Sequence, residues 1–528
     1  MTCGGWIERW GRAFPDKEAL VDAIKDRRYT YGALLGEVNR MTHFLYGELD
    51  IRKGDRVTCL SLNRWEYITL FLALSRLGAV LVPLNFRLAE GELVYFLEDA
   101  APKAILFDQQ HQGVVARLKN EVHVPHYVCL DPDNTVGRPL PDIWGSLPTD
   151  SPEEVETKPD DPQLIIYTSG TTGLPKGVIL THGMLTWNVI NTIQGWGLGP
   201  DDKTILHAAM FYTAGWNVFT LPIFHGRGVN ILIQSFDADL ILDLIHREGV
   251  TVFFGVPTMF RMLLDSPKFA STDFSGVRFM LSGGAPLDRS IFEAFKTRKS
   301  VHIREGYGLT EVGPNCFMAN GKPGTIGHPM PNVDVKLVGN DGREVPQGEE
   351  GEILLKGPNV CAGYLNKPEI STQAIVDGWF HTGDLGKMDA DGHMSIVGRL
   401  KDMIISGGVN IYPTEIERAI DTHPAVAASA VIGVPDPKWG EVGKAVVELN
   451  PGASLTLADL LAHLGDRLGR FKRPKYLAVV DALPRTPATG KIRKFVLKDR
   501  CGSPETGRED VTVYGSRLKK QKIKENLI

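Results

Sequence analysis

Apolar and polar positions along the first 150 residues fall into two alternating rhythms. Residues 56–60, Arg-Val-Thr-Cys-Leu, form a short apolar run of the kind found in a buried strand. Residues 64–77 repeat at helical spacing, with Tyr67, Leu70, Phe71, Leu74 and Leu77 on one stripe. Residues 79–82 predict a second strand, closed by Pro83, and residues 103–107 and 126–130 repeat the theme. The middle third continues it. Strands are predicted over 164–167, 229–233, 251–254 and 278–281, and helices over 238–247 and 257–264. Strands alternating with helices predict an α/β fold with largely parallel sheets.

The pattern changes twice more. Residues 146–162 are rich in Pro, Asp, Glu and Thr and read as an exposed connection. After about residue 320, Gly, Pro and short β-like runs (333–338, 351–356, 393–397) predict a compact β subdomain over about 321–398. Beyond Arg399 the pattern predicts a helix at 414–420, strands at 425–434 and 442–449, a helix at 457–468 and a strand at 475–480. That is a small α+β domain of about 100 residues. The expected division is a large N-terminal domain over 1–400, a small mobile domain over 401–500 and a basic tail over 501–528, with the boundary near 400–402.

Composition narrows the function. Of the 528 residues, 43% are hydrophobic and 23% charged, which excludes a wholly disordered chain. Lys and Arg number 58 against 63 Asp and Glu, a net charge of −5, so no global attraction to nucleic acid or anionic lipid is expected. The basic segment 517–524 reads as a solvated tail. The apolar stretch 67–84 is broken by Arg76 and Pro83 and cannot supply a membrane span. The N-terminus lacks the apolar segment of a signal peptide. Six scattered cysteines form no CxxC pair, so neither a disulfide framework nor a zinc site is expected, and a cytoplasmic setting fits.

The chemistry concentrates in residues 167–178, Tyr-Thr-Ser-Gly-Thr-Thr-Gly-Leu-Pro-Lys-Gly-Val. Thr168, Ser169, Thr171 and Thr172 offer hydroxyls. Gly170, Gly173 and Gly177 let backbone N–H groups approach a ligand, and Lys176 adds a mobile cation. A polyphosphate needs such a loop. It is not a Walker A loop, because no Gly-Lys-Ser/Thr closes it and a second strand, rather than a helix, follows at 178–180.

This loop resembles the signature of the AMP-forming acyl-adenylate superfamily, which includes acyl-CoA synthetases, peptide-synthetase adenylation domains and beetle luciferases. Other segments resemble that family's motifs in order: 29–34 and 78–85 near the N-terminus, Tyr-Gly-Leu-Thr-Glu at 307–311, His-Thr-Gly-Asp at 381–384, the hinge stretch 398–417 and the lysine stretch 484–494. The resemblance covers about residues 5–500. It implies MgATP and coenzyme A as co-substrates, with Tyr307 stacking on the base beside Gly308, and Thr310 at a phosphate. It further implies Glu311 and Thr171 at Mg²⁺, Asp384 and Arg399 at the ribose, and Gly283, Gly284 and Ala285 along the nucleotide and acyl wall. Lys491 is implied to offset the repulsion between a carboxylate and the α-phosphate. With it, Lys176, Thr310 and Glu311 complete the implied catalytic set. Lys401 takes the hinge position, and Gly407 and Gly408 pass close to a pantetheine arm in the second half-reaction.

The implied acyl pocket holds Phe211, Tyr212, Trp216, Val256 and Phe260. Tyr212 offers no charge to an α-ammonium, where peptide-synthetase domains carry Asp, and it also differs from the His of many fatty acyl-CoA synthetases. Trp216 reads either as a gate of the acyl tunnel or as an ordinary core aromatic. The expected activity is ATP-dependent ligation of a fatty or other hydrophobic carboxylic acid to CoA, through acyl-AMP. A carrier-protein thiol as acceptor and a non-catalytic acyl- or nucleotide-binding regulator are the alternatives. The chain's end soon after the small domain favours free CoA, and a homodimer is a further expectation.

Overall fold

A computed structural model describes residues 2–508 except 154, 169–174, 320, 321, 323, 340, 408, 466, 487–489 and 506. The chain divides into two compact units. The first comprises Met1–Lys336 with Leu354–Thr382; the second comprises Leu337–Ile353 with Gly383–Ile528. The division runs through the strands Asp334–Val338, Glu350–Lys356 and Trp379–Met388, so the Gly- and Pro-rich stretch read as a β subdomain contributes to both units.

The first unit is layered α/β, as the alternating rhythm predicts. A seven-stranded sheet runs in the order Arg138–Pro139, His126–Cys129, Ala104–Phe107, Arg56–Leu60, Val80–Pro83, Pro162–Thr168, Lys176–Thr181. Its strands are parallel except for the last pair. A four-stranded sheet runs Lys203–Leu206, Val229–Leu232, Glu18–Asp22, Arg27–Thr30, and a three-stranded parallel sheet runs Val252–Gly255, Phe279–Ser282, Ile303–Glu305. The hairpin at 18–30 and the strand Lys203–Leu206 are absent from the sequence reading. They are too short, at four or five residues each, to show a period of their own.

The helix Trp65–Leu77 shows why these layers hold. Every residue except Arg76 is buried, not only the expected stripe, so the helix packs on all sides. Each such Leu, Ile or Phe contributes about 1.5–3 kcal/mol on leaving water. Gly78 ends the helix at φ +64°, a left-handed cap open to glycine without strain.

In the second unit, strands Val409–Ile411, Ile404–Ser406, Gly440–Leu449, Tyr476–Val480 and Gly507–Arg508 form a sheet, with Val426–Asp436 paired antiparallel to Gly440–Leu449. Helices Pro413–Ile420 and Leu457–Leu464 bury Ile416, Ile420, Leu460 and Leu464 in the same core as Ile404, Val431 and Val447. The helix expected to reach 468 stops at Leu464, because Gly465 leaves the helical conformation. Residues 509–528 of the basic tail lie outside the described residues. No helix among the described residues is long and apolar enough to cross a membrane.

Candidate active site

In the first unit the glycine- and hydroxyl-rich loop springs from two paired strands. Thr168 and Lys176 face each other across the antiparallel pair Pro162–Thr168 and Lys176–Thr181, at the mouth of the loop. The loop residues Ser169, Gly170, Thr171, Thr172 and Gly173 lie outside the described residues. Gly177 is required by packing, since a Cβ there would stand 2.9 Å from Ile165 Cγ2.

A third backbone segment lies along this hairpin. Ile179 N–H donates to Gly363 O at 2.9 Å, Ala362 N–H to Ile179 O at 3.0 Å, and Leu365 N–H to Gly177 O at 2.8 Å. These bonds place Tyr364 along the strand Lys176–Thr181. Lys176 Nζ sits 5.1 Å from the centre of the Tyr364 ring, a cation–π distance. The Tyr364 hydroxyl donates to Glu311 Oε1 at 3.2 Å. Burial, then the Glu311 charge, raise the Tyr364 phenol above its ordinary pKa, so it stays a donor. Lys176, Tyr364 and Glu311 therefore form one chain of polar contacts.

Glu311 stands in the short 3₁₀ turn Thr310–Val312, whose backbone is pinned by Cys361 N–H to Glu311 O (2.7 Å) and by Asn359 Nδ2 to Val312 O (2.6 Å). Upstream, three adjacent parallel strands end side by side. Val256 follows the first, Gly283, Gly284 and Ala285 the second, and Tyr307 and Gly308 the third. The carboxyl ends of parallel strands are where open α/β sheets bind ligands. Gly284 has φ +82°. A Cβ on Gly308 would fall 2.2 Å from Gly313 O, so only glycine fits. Tyr307 is half-buried and edge-on to Phe317, with ring centres 5.6 Å apart.

The expected acyl-pocket residues separate into two groups. Phe211 is edge-on to Phe86 at 5.1 Å and lies 4.4 Å from the Tyr212 ring. The Tyr212 hydroxyl accepts from Asn85 Nδ2 at 3.3 Å. Val256 lies near Gly284, and the half-buried Phe254 ring comes within 3.3 Å of a Cβ built on Gly283. Trp216, in contrast, is fully buried, stacked on Phe71 at 4.4 Å and donating through Nε1 to Met210 O at 2.6 Å. Of its two readings, the core aromatic is the one this packing supports. Phe260 is likewise fully buried, edge-on to Phe253 and Phe295, so its place in the pocket gives way to one in the core.

The second unit assembles a charge cluster of its own. Asp384 and Arg399 are register partners on adjacent antiparallel strands, and Arg399 Nε meets Asp384 Oδ1 at 2.7 Å. Asp384 is buried. Lys401, in the 3₁₀ turn Leu400–Asp402, is held below its ordinary pKa by burial and then by Arg399, against Asp402 and Asp384. Lys491 keeps part of its surface in solvent, yet its ammonium is lowered to about 8. Withdrawal from water comes first, then Arg399 and Lys401, with Asp384 and Asp402 opposing. Gly407 has φ +58°, and a Cβ there would stand 2.6 Å from the Trp439 indole. Gly408 lies outside the described residues.

Comparison with known proteins decides what these parts belong to. The model of the AMP-binding enzyme family matches residues 7–365, and that of the AMP-binding enzyme C-terminal domain matches 415–491. The chain belongs to the AMP-binding enzyme family. It is 39% identical to a feruloyl-CoA synthase of Amycolatopsis sp, over 94% of this chain and 99% of that protein. It is 35% identical to the long-chain-fatty-acid–CoA ligase FadD13 of Mycobacterium tuberculosis, over 94% and 98% respectively. The structure of ATP-bound MatB from Rhodopseudomonas palustris superposes with a TM-score of 0.86 at 35% identity, covering 94% of this chain and 99% of that one. This member of the family is an AMP-forming acid–thiol ligase that takes ATP, CoA and a small carboxylic acid.

Four residues that contact the expected site residues escape the sequence reading: Asn85, Phe86, Phe254 and Tyr364. Asn85 closes the segment 78–85, which resembles a family landmark, but its bond to Tyr212 spans 127 positions. Tyr364 lies 53 residues from Glu311 with no charge or spacing to mark it. Phe254 reads as one of several apolar strand positions, since nothing in 251–254 tells which ring faces the pocket.

Proposed function

We propose that the acid this ligase activates is an aryl-substituted carboxylic acid, and that its residues divide the two half-reactions as follows. In the first, a carboxylate oxygen attacks the α-phosphorus of ATP, the bond to the β-phosphate oxygen breaks, and acyl-AMP and pyrophosphate form. In the second, the CoA sulfur loses its proton and attacks the acyl carbonyl, and AMP leaves with the electron pair of the carbon–oxygen bond. The anhydride divides one difficult dehydration into two displacements.

Lys491 carries positive charge to the meeting of two anions, and Lys176 attracts the phosphates. Asp384, oriented by Arg399, accepts from the ribose hydroxyls, and Tyr307 stacks on the base. Glu311 offers hard carboxylate oxygen, fixed by Tyr364 and by its pinned turn, which suits Mg²⁺. The ion, when bound, neutralises phosphate charge. Lys401 marks the hinge at which the small domain changes its use, from Lys491 in the first step to the Gly407 segment in the second. Six buried free cysteines support a reducing, cytoplasmic setting.

The observation that carries the aryl reading is the cluster of Phe86, Phe211 and Tyr212, whose rings meet edge-on or tilted at 4.4–5.1 Å, with Phe211 buried and Phe86 and Tyr212 half-buried. Such faces receive a flat ring well. The feruloyl-CoA synthase relative, at higher identity than the fatty-acid ligase, supports the same class. The test is AMP release with ATP and CoA across octanoate, palmitate, benzoate, phenylacetate and cinnamate. The aryl acids should lead in kcat/KM by about tenfold or more, as two well-packed methylene equivalents would give. A preference for palmitate would overturn the reading.

A further inference from the structure

One buried polar atom is employed by neither the fold nor the chemistry above. His207 follows the strand Lys203–Leu206 and is 3% exposed. Its Nε2 lies 2.6 Å from Phe254 O. A carbonyl only accepts, so Nε2 carries the proton. The ring stacks on Phe253 at 5.1 Å and meets Phe236 edge-on at 5.7 Å, which fixes its plane. Its Nδ1 is buried with no hydrogen-bond partner among the described residues. Burial lowers the imidazole to about 4, so at neutral pH it is uncharged and Nδ1 is a bare acceptor.

His207 also lines a small cavity of about 10 Å³, with Ala208, Ala214, Phe219, Thr220 and Phe254 among its walls. Phe254, which lines this space, is also the ring that approaches Gly283, so the cavity shares that side chain with the expected acyl residues. Its size suits about one oxygen atom with its hydrogen. An unsatisfied acceptor in an apolar surround is costly, and a site of this kind discriminates strongly between a ligand that supplies the donor and one that lacks it.

We propose that Nδ1 of His207 accepts a hydrogen bond from a hydroxyl on the ring of the acyl substrate, making the enzyme selective for ring-hydroxylated aryl acids over their deoxy counterparts. This rests on the aryl reading above. His207 is a specificity-determining residue here.

The test compares kcat/KM for cinnamate with that for 2-, 3- and 4-hydroxycinnamate, using wild type, His207→Leu and His207→Asn, with octanoate as a control acid. In wild type at least one hydroxycinnamate should exceed cinnamate by roughly a hundredfold. His207→Leu should compress that ratio to within about threefold while keeping turnover of cinnamate. His207→Asn, which keeps an acceptor near the same place, should restore at least about tenfold. If wild type turns over cinnamate and all three hydroxycinnamates within threefold of one another, the acceptor serves a buried water and the inference falls. That result needs no variant to fold. Retention of the full ratio in His207→Leu overturns it as well. Turnover of octanoate with none of any cinnamate removes the aryl reading, and this inference with it.

Discussion

The hydroxyl of Tyr364 donates to Glu311 Oε1 at 3.2 Å while the ring of the same tyrosine faces Lys176 Nζ at 5.1 Å. One side chain thus orients a carboxylate suited to a metal and a cation suited to a phosphate. Tyr364→Phe keeps the ring and removes the hydrogen bond. Pyrophosphate release should fall about tenfold, the worth of one hydrogen bond to a charged group at the low end. Half-saturation by Mg²⁺ should move to higher concentration, with the melting temperature nearly unchanged. Titration of Mg²⁺ against initial rate checks this, and an unchanged profile excludes the positioning role.

Lys491→Ala should slow acyl-AMP formation by about a hundredfold or more, the usual cost of losing one charge-stabilising group, ~3 kcal/mol. Thioester formation from supplied acyl-AMP should persist. Equal losses in both half-reactions, measured by rapid quench, would make Lys491 a structural residue.

The same lysine sets a pH dependence. Its ammonium is lowered to about 8, so it is cationic below that pH and neutral above it. The kcat/KM of adenylation, which reports the free enzyme, should fall as pH rises through about 8. Lys491→Arg stays charged throughout, so its profile should lose that limb even where its rate is lower.

Lys401→Pro should separate the half-reactions in the opposite sense. Proline holds φ near ~−65° and resists the rotation a hinge requires. Acyl-AMP should still form, observed as a burst of pyrophosphate, while CoA thioester production falls. Collapse of the burst would show that the substitution damages the fold at 400–402 and not a hinge.

Trp216→Ala removes a side chain stacked on Phe71 and bonded to Met210 O. It should cost ~3–5 kcal/mol of stability and leave the ranking of acids unchanged. A shift in ranking towards bulkier acids without loss of melting temperature would restore the gate.

The motifs make the expected nucleotide residues readable because each joins residues close in sequence, as Tyr307 to Glu311 do. The strands Arg56–Leu60 and Val229–Leu232 were legible because buried parallel strands are short apolar runs. Side-chain direction was not. Val256 and Phe260 are four apart around a helix start, yet one borders Gly284 and the other packs on Phe295. Apolarity alone cannot tell a pocket wall from a core, since both leave water. Tyr364 was hidden for a different reason: its role arises from backbone bonds to Ile179 and Gly177, which join segments almost two hundred residues apart.

The proposed chemistry requires acid-dependent formation of an enzyme-bound adenylate ahead of CoA. Exchange of labelled pyrophosphate into ATP, measured without CoA in the presence and absence of cinnamate, tests it most directly. Exchange should require the acid and fall about a hundredfold or more in Lys491→Ala; exchange that is absent with every acid, or that appears only when CoA is added, contradicts acyl-AMP formation ahead of CoA.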